Sequence, residues 1–109
     1  MHQRKVKAII EQHQKWMETG GKFGIRADFY HADLTEYDFS FLDLSGANFE
    51  KADLKWASFK GTTLKGCNFK SANMEGVNLI EANMEEADLR FTDLDGVNLA
   101  WSHIKNAIF

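Results

Sequence analysis

Residues 46–69 read GANFEKADLKWASFKGTTLKGCNF, and within them a large apolar side chain returns at every fifth place: Phe49, Leu54, Phe59, Leu64 and Phe69. A helix repeats near 3.6 residues and a strand at 2, so neither keeps a stripe of period five on one face. The same phase extends outward in both directions. It begins at Phe29, Leu34, Phe39 and Leu44 and continues through Met74, Leu79, Met84, Leu89, Leu94, Leu99 and Ile104 to Phe109, making 17 centres without a slip. Two places before a centre the residue is usually small, as at Ala27, Ala47, Ala57, Cys67 and Ala87. One place before it usually stands Asp or Asn, as at Asp28, Asn48, Asp53, Asn73 and Asp88.

Side chains two apart in an extended segment share a face, so the small residue and the centre both point inward and the Asp or Asn points out. Because five is odd, a straight strand would throw alternate centres outward. The chain must therefore turn once per repeat. Asp and Asn bond to nearby backbone in turns, and glycine relieves a corner of positive φ; Gly46, Gly61, Gly66, Gly76 and Gly96 all fall two places after a centre. The centres alternate Phe and Leu from Phe29 to Phe69, a second period of ten. If like residues stack, each coil holds an even number of repeats, which is the logic of a solenoid.

The triplets ADL at 32–34, 52–54 and 87–89, ANF at 47–49, and ANM at 72–74 and 82–84 resemble the A(D/N)LXX signature of pentapeptide repeat proteins. The resemblance covers residues 27–109. It implies an all-β solenoid, a right-handed four-sided β-helix with four pentapeptides per coil and about four coils. HQKW at 13–16 and RADF at 26–29 also resemble leaders found before such repeats in bacterial proteins. Larger or less polar residues at Tyr37, Leu42 and 103–108 predict irregular first and last coils.

Residues 1–26 follow another rule. Val6, Ile9, Ile10, His13, Trp16 and Met17 form one stripe of an amphipathic helix that Gly20 and Gly21 would end. An open solenoid end exposes core and unpaired strand groups, so this segment is expected to be a capping α-helix with its connector, and 27–109 the repeat body of the same single domain.

The 109 residues include no proline, one cysteine and four scattered histidines. No unbroken apolar run suggests a signal peptide or a membrane span, and a lone Cys67 agrees with a reducing compartment, so a cytoplasmic location without membrane association is expected. No H-x-x-x-H, C-x-x-C, nucleophile elbow or phosphate-binding glycine loop is present. The Asp and Asn ladder reads as turn bracing rather than a calcium site. The expectation is a non-catalytic protein with no cofactor and no metal.

Lys51, Lys55, Lys60, Lys65 and Lys70 look like a basic run, but residues five apart lie on successive sides of a coil. Residues twenty apart stack instead, and those stacks mix signs: Glu50 with Lys70 and Arg90, Lys55 with Glu75 and Asp95. They are expected to be cross-strand ion pairs, and no direct nucleic-acid binding is expected. Residues 1–26 carry six basic and two acidic groups, and 27–109 seven basic and fourteen acidic, giving the overall −3. The resemblance adds a second prospect, since some pentapeptide proteins mimic DNA and protect type II topoisomerases.

Phe41, Trp56, Phe91 and Trp101 occupy outward corner positions, and Ile80, Trp101, Ile104, Ile108 and Phe109 make a candidate contact surface near the C-terminal end. There the centres Leu94, Leu99, Ile104 and Phe109 have nothing above them. The sequence predicts an end-to-end dimer or a piece of a longer repeat protein, acting as a structural or protein-interaction module for a protein partner it does not name.

Overall fold

In the computed structural model, which describes all 109 residues, one α-helix is followed by a stack of coils. Helix α1 spans Gln3–Glu18. His2 caps its start, its ring Nδ1 accepting the backbone N–H of Arg4. At its end Gly21 N–H donates to Trp16 O and Gly20 N–H to Met17 O, with both glycines at positive φ. Those crossed bonds form a Schellman motif, which satisfies the last carbonyls and reverses the chain.

From Asp28 on, every bridge joins a residue to the one twenty later, in parallel. Asp28, Asn48, Asn68, Asp88 and Ile108 share one wall, while the walls that begin at Asp33, Asp38 and Asp43 each hold four members. The four sides thus make coils of 27–46, 47–66, 67–86 and 87–106, and 107–109 opens another. Between coils the backbone bonds run both ways: Leu54 N–H donates to Asn73 O at 2.8 Å, and Asn73 N–H to Ala52 O at 2.9 Å.

All the pentapeptide turns but the one at Phe39–Leu42 close with a hydrogen bond across four residues, as where Ala57 N–H donates to Leu54 O at 2.9 Å. The residue two past each centre has positive φ at all sixteen corners. A positive φ at the third turn residue alone defines type II. The Asp or Asn before the centre holds that turn shut, Asp28 Oδ1 accepting from Tyr30 N–H at 3.0 Å and Asn83 Oδ1 from Glu85 N–H at 3.0 Å.

Inside, the period of ten becomes two aromatic columns. Phe29, Phe49 and Phe69 stack with centroids 5.1 and 5.0 Å apart, and Phe39 stacks on Phe59 at 5.0 Å. The columns meet edge to face across the core, Phe49 against Phe59 at 5.5 Å and 85°. The centres from Phe29 to Leu89, with Met74 and Met84 among them, are buried. Polar substitutes at the small inward position are satisfied: Thr62 Oγ1 donates to Phe39 O at 2.7 Å and Cys67 Sγ to Leu44 O at 3.0 Å.

Two expectations need correction. Tyr37 and Leu42 leave the bridge register undisturbed, and bridges run regularly from Asp28 to Ile108, although the Phe39–Leu42 turn lacks its closing bond. These larger side chains stand half-buried in the small inward sites because no coil lies beneath the first one, and Tyr37 fills the space against Phe39 at 4.5 Å. The stacked charges also form no cross-coil ion pairs. The sole salt bridge joins Arg90 to Asp88, two residues away on the same turn, at 2.8 Å. Several lysines lie over aromatic rings instead: Lys51 over Tyr30, Lys55 over Trp56 and Lys70 over Phe91, each 5.9 Å from the centroid.

Candidate functional site

The solenoid gives each wall its own chemistry, because every outward residue is held by a turn of the same geometry. The wall of Asp33, Asp53, Asn73 and Asp93 carries six carboxylates, adding Glu36, Glu75 and Asp95, against Lys55 alone; counted by residue these are Asp33, Glu36, Asp53, Glu75, Asp93 and Asp95. The other walls are neutral or hold one excess negative charge. Acidity is therefore one-sided. At its lower end Asp33 accepts from the N–H and hydroxyl of Thr35, bonds that hold its carboxyl below the usual range. Ser40 does the same for Asp38, through its hydroxyl and its N–H.

Four exposed aromatics stand at corners: Phe41, Trp56, Phe91 and Trp101, the last 84% exposed. The lower two have seats. The ring of Phe41 lies over Gly61, where an added Cβ would come 2.6 Å from Cδ1, and that of Trp56 lies over Gly76, where a Cβ would meet Cδ1 at 2.3 Å. Eleven of the sixteen positive-φ corners carry a side chain, His31, Lys51 and Glu81 among them. Backbone conformation alone does not therefore explain Gly61 and Gly76; they make room for the ring from the coil below. Their spacing of twenty from Phe41 and Trp56 is the sequence signal for these seats. Phe91 and Trp101 have no such seat.

The candidate contact residues divide. Ile104 and Phe109 lie in the last inward layer, 45% and 56% exposed, beside Leu99 and half-buried Leu94. Trp101 stands at a corner of that level, Ile108 projects from the wall above Asp88, and Ile80 sits one coil lower on a side wall, half-buried. The structure gathers the end layer but leaves Ile80 outside it.

At the other end Val6 and His13 of α1 are buried, Ile9 and Ile10 pack against the core, and Trp16 and Met17 are half-buried. The His13 ring bonds on both sides. Ala27 N–H donates to its Nδ1 at 2.9 Å and its Nε2 lies 3.0 Å from Ser45 O. A carbonyl only accepts, so Nε2 bears the proton and the imidazole is neutral. Burial lowers its pKa. Nothing in the sequence stripe distinguished this histidine from its apolar neighbours.

No three His, Cys, Asp or Glu side chains converge as metal ligands. Burial pushes the Cys67 thiol up to about 12, so it is neutral and shielded. The groove of about 270 Å³ between α1 and the connector is lined by Lys5, Ala8, Ile9, Gln12, Ile25, Arg26 and Asp28. No helix is long and apolar enough to cross a membrane.

Comparison with known proteins agrees with this geometry. The family profile for pentapeptide repeats matches residues 25–61, 62–100 and 72–109. No curated protein sequence matches the chain significantly. Among solved structures, the pentapeptide repeat protein Rfr23 of the cyanobacterium Cyanothece 51142 is 36% identical over 76% of this chain and 56% of its own, with a TM-score of 0.74. A pentapeptide repeat protein of the Arabidopsis thaliana thylakoid lumen is 35% identical over 69% of this chain and 52% of its own, with a TM-score of 0.68. QnrB1, a plasmid-mediated fluoroquinolone resistance protein, is 26% identical over 75% of this chain and 41% of its own, with a TM-score of 0.57. The chain thus spans about half the length of the first two structures it matches. Profile, coil period and structural likeness agree: the chain belongs to the pentapeptide repeat family, and its body is a right-handed four-sided β-helix.

Proposed function

We propose that the chain is a non-catalytic protein-interaction module whose acidic wall meets a basic protein surface. The carrying observation is the one-sided charge, six carboxylates against Lys55 on one of four walls. A rigid solenoid holds those groups in fixed register, so a partner with matching cations pays little to order them. A bacterial, cytoplasmic setting belongs to the same proposal and rests on the sequence alone. Pull-downs compare the intact chain with a variant bearing Asp53→Lys, Glu75→Lys and Asp95→Lys. The reading expects an identified protein that the intact chain retains and the variant loses; identical sets of retained proteins would defeat it.

A second reading is favoured by the likeness to QnrB1: the acidic wall imitates DNA before a gyrase-like type II topoisomerase. Four coils at about 4.8 Å spacing span roughly 14 Å between outer members. Duplex DNA presents about 8 charges over that length, so the wall has somewhat over half the charge density. Supercoiling assays with titrated protein separate the two readings. Inhibition or drug protection that the charge-reversed variant lacks supports mimicry, and no effect leaves the general module.

A further inference from the structure

We propose that His13 is a proton-operated latch between α1 and the first coil, and that mild acid opens the cap while the coils above stay stacked. Three facts meet at this ring. It is fully buried. It bridges two separate parts of the first coil, accepting from Ala27 N–H at its start and donating to Ser45 O at its last corner. Trp16, one helical turn on, tilts over it with centroids 5.4 Å apart.

A proton on Nδ1 changes the joint from satisfied to frustrated. Both ring nitrogens of an imidazolium are donors, so Nδ1–H would face Ala27 N–H, donor against donor, in a dry site. The surrounding charges do not rescue it evenly. Asp43 of the first coil favours the cation, Arg26 of the connector opposes it, and the neighbours of His13 along α1, Ile9, Ile10, Trp16 and Met17, are uncharged. Burial outweighs these, and the pKa in the closed cap lies below 6.5. Open His13 therefore takes its proton first. The closed cap has its full stability above about pH 6.5, and as pH falls the open-to-closed ratio rises up to about tenfold per unit until the closed-state pKa is passed.

The coils have no matching weakness. Their buried polar side chains are Thr62, which does not titrate here, and Cys67, already neutral in this range. Asp33, Asp38 and Asp88 keep their charge into stronger acid, because hydrogen bonds hold them below the usual carboxylate range. What opening uncovers is chemically definite: the lower faces of Phe29, Leu34, Phe39 and Leu44 beside backbone groups of the first coil that have no coil beneath.

Hydrogen exchange of the full chain, corrected for intrinsic rates, at pH 7.5 and at pH 5 tests the latch, together with an NMR titration of the His13 ring. The expected result is a loss of protection in residues 3–18, bounded at about thirtyfold for one group that titrates from about 6.5 when open, with residues 47–86 unchanged and its course following the His13 titration. In His13→Gln, whose amide can still donate to Ser45 O, the pH step should vanish whether that cap is firm or loose. Protonation of His13 without loss of helix protection, a step that survives in His13→Gln, or simultaneous loss of protection in the coils would each overturn the proposal.

Discussion

At residue scale, inward and outward positions alternate so sharply that neighbours have opposite fates. Leu54 is buried between coils, whereas Lys55, next in sequence, projects over Trp56. Replacing Leu54 by Lys strands a charge with no partner and should cost about 4 kcal/mol or more. Lys55→Leu should change stability by less than about 1 kcal/mol. Equal thermal melts for the two variants would refute the inward phase. The corner glycines give a finer contrast. Gly66 has open space where its Cβ would be, while Gly76 lies under Trp56. Both must bear a left-handed φ, so Gly76→Ala should exceed Gly66→Ala by about 1 kcal/mol, the packing lost as the indole swings away. Denaturant melts that rank the two alike would show that the ring needs no seat.

At the scale of elements, the helix and its connector act as one lid, joined where Gly24 passes over α1. A Cβ there would sit 2.4 Å from Gln12 O and 2.5 Å from Trp16 N, both backbone atoms that cannot step aside. Gly24 also has a φ of +78°. Gly24→Ala should therefore lift the connector, weaken the Ile25 N–H bond to Gln12 O, and lower the melting temperature by about 10 °C, as expected for about 2 kcal/mol in a domain of this size. Deleting residues 1–19 goes further, baring the first coil, and should produce aggregation. Gel filtration of the truncated chain checks this: a monomer with unchanged heat stability would mean that the lid covers nothing the coils need covered.

For the whole molecule, 36 by 29 by 22 Å, the two ends differ. One carries α1. At the other, the N–H groups of Leu94, Leu99 and Ile104, equivalent to those that lower centres donate to the next coil, meet no acceptor, and their side chains are progressively exposed. We propose that the 109-residue chain associates through this face, with Trp101, Ile104 and Phe109 at the contact. A two-fold pairing closes, whereas head-to-tail stacking grows without limit. Light scattering over a concentration series should give a dimer, shifted to monomer by Phe109→Asp, since a charge in an apolar contact is left unpaired. A strict monomer at high concentration would rule this association out.

The sequence by itself determined the coil. A period of five with small residues before each centre admits one inward face, and the Phe–Leu alternation gives an even number of sides if like residues stack; that the number is four is what the resemblance to pentapeptide repeats implied. Tertiary structure alone decided what twenty-residue neighbours do to each other. It paired Phe41 with Gly61 and Trp56 with Gly76, drew three lysines onto aromatic rings, and left the stacked charges without partners across coils. It also made His13 the joint of the lid, with partners 14 and 32 residues away. The division has a physical cause. Which face is buried follows from apolar spacing along the chain, but which polar or aromatic group meets which depends on rotamers and on the angle at which elements dock, and these are set only when the coils and α1 are in place.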